Sequence, residues 1–287
     1  MPTVLELDLD VTVAPTVYPA RLHGAACALL GHPPPGGTPD FSAWPLVAHG
    51  ERARWRLGWL PDRACPAPPA AVTFGSTVHR VVDHAITHVG FAELAAGPPA
   101  RRADVDVLSP LYFSRNGRDL PLPDPELMLR SSLDRWDRHA PPALRVPDDV
   151  RRALLGAVYL VACEGGTVTG AVGARMRQTG FTGTVTLGLT RSAGPAVAGA
   201  FAALIRYAAV TGIGAQTAHG FGAVRTRLHR GARTDQQPEP RRRRGPRGGV
   251  SAGESWDAGV AGGSGDHLDG AGDAVLAGVR NAAGGGR

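Results

Sequence analysis

The stretch GIGAQTAHGFGAV, from Gly212 to Val224, is where residue types and spacing most directly suggest chemistry. Gly212, Gly214, Gly220 and Gly222 allow positive φ and close backbone approach, so that amide N–H groups can be aimed at phosphate oxygens. Thr217 and His219 can add side-chain donors. The same glycines suit a tight junction between a helix and a strand, and the stretch alone leaves both uses open. A nucleotide-binding loop is excluded. The stretch follows a helical pattern and precedes a strand, the reverse of the P-loop and dinucleotide motifs, and it lacks a Lys-Ser/Thr ending.

Every one of the 31 basic residues other than histidine is arginine, and the formal net charge is +6. Arginine grips phosphate through two parallel hydrogen bonds and stacks on bases, which suits an RNA partner. A GC-rich genome produces the same composition, so charge alone identifies no ligand. Arg115 and Arg118 flank an Asn116-Gly117 turn. Arg175 and Arg177 share one face of a strand, with Gln178 beside them. Each of these arginines can bind RNA phosphate or lie on a solvated face. His79, His84 and His88 are spaced loosely like metal ligands, but no Cys pair or HExxH accompanies them, and no metal or other cofactor is expected. GxSxG is absent, so no serine nucleophile is marked.

The elements that must hold these residues follow from periodicity. TVLELDLDVTV alternates strictly and reads as a strand with one wet face. YPARLHGAACALLG reads as a helix, with Pro19 in the first turn, a stripe of Leu22, Ala26, Leu29 and Leu30, and Gly31 as C-terminal stop. RARWRLGWL is a strand. AVTFGSTVHRVVDHAITHV is a hairpin region, and the proline-rich PDRACPAPP before it cannot form a proper helix. A second unit opens with a strand through Val105 and Val107. It continues through the turn SRNGR to a helix over DPELMLRSSLDRWDRH, with Asp124 as N-cap, Pro125 at the first position, and Leu127, Leu129, Leu133 and Trp136 on one side. VTGAVGARMRQTGFTGTVTLGLT reads as two strands around QTGFTG. PAVAGAFAALIRYAAVTG is a helix, and GAVRTRL after the glycine loop is a last strand.

Strand, helix, strand, strand, helix, strand is the split βαβ order of a ferredoxin-like or RRM-like unit. The first unit starts in the same order with its second helix eroded. The expected fold is therefore α+β, two tandem ferredoxin-like domains over 1–100 and 101–229, followed by a disordered Arg/Gly-rich tail over 230–287. In that tail only Trp256 remains of the sixteen aromatic residues, too little apolar surface to offset the entropy of ordering. Cys27, Cys65 and Cys163 stand far apart, which argues against a disulfide framework and suits a reducing cytoplasm. The acidic alternation at the N-terminus is not that of a signal peptide, and no apolar run reaches membrane-spanning length.

Four stretches taken in order, YPARLHGAACALL, LSPLYFSRNGRDLPLPDPELMLRSSLDRW, GFTGTVTLGL and GIGAQTAHGFGAVRT, resemble the RAMP-superfamily endoribonucleases of CRISPR systems that cut precursor crRNA at each repeat. The resemblance covers most of 1–227. It implies two ferredoxin-like domains side by side, CRISPR repeat RNA or crRNA bound across them, and metal-independent attack by a ribose 2′-OH that leaves a 2′,3′-cyclic phosphate and a 5′-hydroxyl. It also implies a histidine on or just after the first helix as the catalytic group. Two residues fit that location: His32, nine residues before Phe41 in a spacing similar to the family's, and His23 in the helix itself, with His32 the marginally better fit. In this sequence no lysine follows His32, and Cys27 stands about where some members carry a tyrosine. The eroded first domain leaves a second reading, a RAMP subunit that holds crRNA without cutting it inside an interference complex. A third is an unrelated RRM-like RNA-binding protein. The implied protein is a monomer or homodimer in the cytoplasm, free of membranes, alone or with other CRISPR-associated proteins.

Overall fold

The computed structural model describes residues 1–11, 14–172 and 176–229. The tail over 230–287 and Arg175 lie outside the described residues.

In chain order, the first half carries β1 (Thr3–Leu9), α1 (Pro19–Leu30), β2 (Phe41–Ala43), β3 (Val47–His49), β4 (Arg52–Trp59), β5 (Ala71–Phe74), β6 (Thr77–His88) and α2 (Phe91–Ala96). The sheet runs β2-β4-β1-β6-β5, with β3 also paired to β4. β1 is antiparallel to both β4 and β6, so those two run parallel with β1 between them. This is the ferredoxin-like arrangement, with residues 61–69 and β5 standing where its second helix would be. Leu5, Leu7 and Leu9 of β1 face the core beside Leu57 and Trp55 of β4, under Leu22 and Ala26 of α1.

The expected wet face of β1 is largely covered. Val4 is buried against Leu60 and Val210. Asp8 is buried too, gripped by Arg54 at 2.7 and 2.9 Å, and that guanidinium holds its carboxyl below the usual range. Alternation in sequence reported polarity, but the polar residues satisfy one another across strands, and part of this face meets the second unit.

The second half carries β7 (Arg102–Leu111), β8 (Phe113–Arg115), β9 (Arg118–Leu120), α3 (Pro125–His139), α4 (Asp148–Ala157), β10 (Val158–Ala171), β11 (Arg177–Leu189), α5 (Pro195–Thr211) and β12 (Val224–Leu228). Its sheet order, β10-β11-β7-β12, is the complete ferredoxin-like one. Asp124 caps α3 by accepting from the Leu127 amide at 2.8 Å. The buried stripe of α3 is Met128, Leu129, Ser132, Leu133 and Trp136, so Leu127 lies at its edge and not within it. Trp136 meets Phe91 and Tyr207 edge-on, with ring centroids 5.0 and 5.4 Å apart. Through Phe91 and Leu94, α2 joins this second core, although it precedes residue 100.

QTGFTG is not a turn. β11 runs straight through it, and Gly183 faces Gly165 in the partner strand. A Cβ on Gly183 would stand 2.1 Å from the Glu164 carbonyl oxygen, so these glycines serve close backbone approach. The short amphipathic helices α2 and α4 carry too few apolar positions to be read from periodicity. No described helix is long and apolar enough to cross a membrane.

The two units meet at the C-terminal end of α5. The Ser42 hydroxyl donates to the Val210 carbonyl at 2.6 Å, and Arg56 donates to the Ala209 carbonyl at 3.2 Å. Gly58 fits only because it has no side chain: its Cβ would lie 2.1 Å from the Val210 oxygen and 2.5 Å from the Ser42 hydroxyl. Gly58→Ala is therefore expected to cost about 2 kcal/mol or more, read as a lowered urea midpoint with an unchanged slope. An unchanged midpoint contradicts this packing.

Candidate active site and nucleic-acid interface

The glycine loop begins where α5 ends. Gly212, Gly214, Gly220 and Gly222 all have positive φ, from 57 to 93°. Their amides are committed inside the chain. Gly212 donates to Ala208 O at 2.9 Å, Gly214 to Ser131 Oγ at 2.9 Å, Gly220 to Thr217 O at 3.5 Å and Gly222 to Pro110 O at 3.0 Å. Ile213 donates to Gly222 O at 2.9 Å, and Ala215 to Tyr112 O at 2.8 Å. A Cβ on Gly222 would stand 1.8 Å from the Ile213 oxygen. Of the two uses the sequence left open, the tight junction accounts for all four amides. The glycines close a knot between helix and strand.

Arg135 of α3 ties that knot down. Its guanidinium donates to Gly214 O at 2.7 Å and Thr217 Oγ1 at 3.2 Å, and to the backbone and hydroxyl of Ser131 one turn earlier. Thr217 is buried, its hydroxyl oxygen engaged by Arg135. Burial pulls the Arg135 pKa down to about 10, so it stays charged at neutral pH, and the acceptors it bonds are all neutral. Sequence reasoning missed this residue. The only available signal was Ser131 and Arg135 four apart on one helix face, which is common on exposed helices too.

Thr217–His219 form a single helical turn that delivers His219 onto α1. The rings of His219 and His23 stack with centroids 3.9 Å apart and planes 9° from parallel. His23 Nδ1 lies 3.3 Å from the Ala218 carbonyl, which can only accept, so Nδ1 carries the proton. Its Nε2 then accepts from the Cys27 thiol at 3.4 Å, and burial pushes that thiol's pKa up, keeping its proton in place. Both nitrogens of His23 are therefore engaged. Burial lowers the His23 pKa, the Ala218 carbonyl opposes that fall, and His32 adds to it. Burial takes His219 down to about 4, with His23 adding to the fall, and its Nδ1 is buried without a partner among the described residues.

His32 stands apart. It is exposed, just beyond Gly31, whose φ of 100° stops α1 and whose amide returns to Cys27 O. The structure thus brings His23 and His219 into one stack and leaves His32 open at the end of the same helix. Arg115 and Arg118 are exposed on the β8–β9 hairpin, turned by Asn116 and Gly117 at positive φ. Arg177 is exposed at the start of β11, and its neighbour Gln178 donates to Asp119 on the hairpin at 3.2 Å. These three arginines border one region. His79 is buried against Phe74, and His88 Nδ1 lies 3.0 Å from the Thr3 hydroxyl. No group of three His, Cys, Asp or Glu among the described residues could hold a metal ion.

Residues 105–224 match the family described as CRISPR-associated endoribonuclease Cas6. Two solved structures, a Cas6 (TTHA0078) product complex and a Cas6 (TTHB231) product complex, are each 26% identical to the chain. Each has a TM-score of 0.65, with 79% of this chain and 100% of that one covered. Thermus thermophilus Cas6 (TTHB231) is likewise 26% identical, with a TM-score of 0.60, covering 79% of this chain and 98% of its own. No curated protein matches the chain.

Neutral imidazole at this junction makes stability depend on pH. Above about pH 6.5 a histidine is neutral in folded and unfolded chain alike. As pH falls, the unfolded chain binds the proton first, so the His219 contribution is lost between pH 6.5 and about 4. The urea midpoint is expected to fall steadily from pH 7 to pH 5. His219→Phe, which can stack but cannot protonate, flattens that fall; an identical slope in the variant contradicts the assignment. Arg135→Met strands the Gly214 carbonyl and the Thr217 hydroxyl, and is expected to cost about 1–3 kcal/mol, read in the same titration at pH 7.

Proposed function

We propose that the chain is a member of the CRISPR-associated endoribonuclease Cas6 family and that it cleaves CRISPR repeat RNA in precursor transcripts to release crRNA. The observation that carries the reading is the match of residues 105–224 to that family, joined by structural likeness over 79% of the chain to Cas6 proteins solved with product.

The chemistry proposed is metal-independent transesterification. A base takes the proton of the ribose 2′-OH, the 2′-oxygen attacks the adjacent phosphorus, and an acid protonates the departing 5′-oxygen. One product ends in a 2′,3′-cyclic phosphate and the other begins with a 5′-hydroxyl. His32 is the proposed catalytic base. It is exposed, whereas His23 has both ring nitrogens engaged by Ala218 and Cys27. A histidine-to-alanine mutant is among the solved Cas6 (TTHA0078) structures, which fits a histidine of interest in that relative. His23 is proposed to set the end of α1 against the glycine loop through its stack with His219, and it is the base only if Cys27 yields its place. Arg115, Arg118 and Arg177 are proposed to bind RNA phosphate from the hairpin and the start of β11, and Arg175, which lies outside the described residues, is proposed to join them. Gly212, Gly214, Gly220 and Gly222 hold Thr217 and His219 where the RNA passes.

The purified chain should cut its cognate repeat in EDTA, and a single 2′-deoxy substitution at the cut should abolish cleavage. Cutting that survives the deoxy substitution contradicts the mechanism. In single-turnover assays His32→Ala is expected to slow the reaction by about 10²-fold or more, and more than His23→Ala does. The reverse order transfers the role to His23, and no slowing in either variant removes both. Tight repeat binding with no cutting by saturating enzyme supports the non-catalytic crRNA-holding subunit instead.

A further inference from the structure

An open cleft of about 440 Å³ lies between α3, the β8–β9 hairpin and the outer side of the glycine loop. Its walls carry four guanidinium groups, from Arg115, Arg130, Arg135 and Arg138, with the hydroxyls of Ser131 and Thr38 between them. Local pairing leaves this charge largely uncancelled. Arg130 is paired with Glu126, and Asp134, the carboxylate on the wall, lies 3.6 Å from Arg151. Arg115 and Arg138 are exposed and have no ion pair among the described residues. Arg135, half-buried at the floor, bonds only neutral acceptors.

We propose that this cleft is a phosphodiester subsite for the repeat RNA, with Arg138 and Arg115 as its gripping residues and Arg130 in support. The inference rests on the RNA-processing reading above and extends it to α3, which neither the glycine loop nor the hairpin arginines include. The volume admits a nucleotide-sized group. Guanidinium forks approaching from a helix on one side and a hairpin on the other can bracket one phosphate through parallel N–H···O bonds. A half-buried cation at the floor with no carboxylate bonded to it adds attraction that solvent screens less than it does at a fully exposed site.

The subsite also has a physical link to the candidate active site. Gly214 and Ala215 border the cleft, Arg135 bonds Thr217, and the next residue, Ala218, holds His23. RNA anchored here bears on the same loop that positions the histidine stack. Because the grip is on phosphate, the subsite contributes affinity and register without reading base sequence.

The test is repeat-RNA binding by the full chain across a salt series from 50 to 300 mM, roughly the range over which phosphate contacts dominate affinity. Arg138→Ala is expected to weaken binding several-fold and to shallow the log–log salt slope by about 1. Adding Arg115→Ala should shallow it by about 1 again. Arg138→Lys, which keeps the charge, should retain most of the slope. Arg191→Ala, which removes a cation from the β11–α5 connection, is the charge control and should leave the slope in place. Parental affinity and slope in the Arg138 and Arg115 variants overturn the cleft while leaving the RNA-processing reading intact. A slope change in Arg191→Ala equal to that in Arg138→Ala also overturns it, because general charge would then suffice. If the parent chain binds no repeat RNA at all, both the cleft and the reading it rests on fall.

Discussion

The four hydrogen bonds that Arg135 makes inside the protein set the geometry of the rest of the site. A guanidinium half withdrawn from water needs acceptors for its buried N–H groups, and here they are the Ser131 backbone and hydroxyl, the Gly214 carbonyl and the Thr217 hydroxyl. Satisfying them fixes the glycine loop against α3. The fixed loop presents Ala218 and His219 to α1, and His23 answers with a hydrogen bond to one and a stack on the other. Two ferredoxin-like units are thereby joined through a chain of polar contacts. A second attachment lies at the end of α5, where Gly58 and Ser42 meet the Val210 carbonyl.

The division of labour within the loop follows from that closure. Its glycine amides are donors already committed, so they cannot serve as a phosphate cradle without unmaking the fold. The exposed arginines proposed for phosphate lie instead on the hairpin, the start of β11 and α3. The absence of lysine matters less than it first suggests, because planar guanidinium groups match phosphate geometry well. Cys27 occupies the place beside His23 where the resemblance leads one to expect a tyrosine. In this chain it engages Nε2 with a thiol whose pKa burial has raised. The helix histidine thus has both ring nitrogens engaged, while His32 beyond it is exposed.

Much of the architecture was legible from sequence. The strict alternation of β1, the Asp124-Pro125 start of α3 and the Gly31 stop of α1 each encode local geometry in residue type. The Asn116-Gly117 turn and the reversed order of the glycine loop do so as well. What escaped were features set by distant partners. QTGFTG looks like a turn, but its glycines serve a close approach of two strands. Asp8 looks solvated, but Arg54 on the neighbouring strand grips it. α2 and α4 are too short for a periodic signal. At the site, the histidines and the surface arginines could be named from their types. Arg135, the Cys27–His23 bond and the His23–His219 stack depend on contacts spanning 79 to 196 residues or on one helical turn of exact facing, which no spacing rule marks.

The central proposal is that the chain cuts repeat RNA by attack of the RNA's own ribose 2′-hydroxyl. It is tested most directly by the chemical ends it leaves. Mass spectrometry of the two fragments from one cleaved repeat should find a 2′,3′-cyclic phosphate on the upstream fragment and a 5′-hydroxyl on the downstream one. A 3′-hydroxyl upstream with a 5′-phosphate downstream means that water or hydroxide attacked instead, and contradicts it.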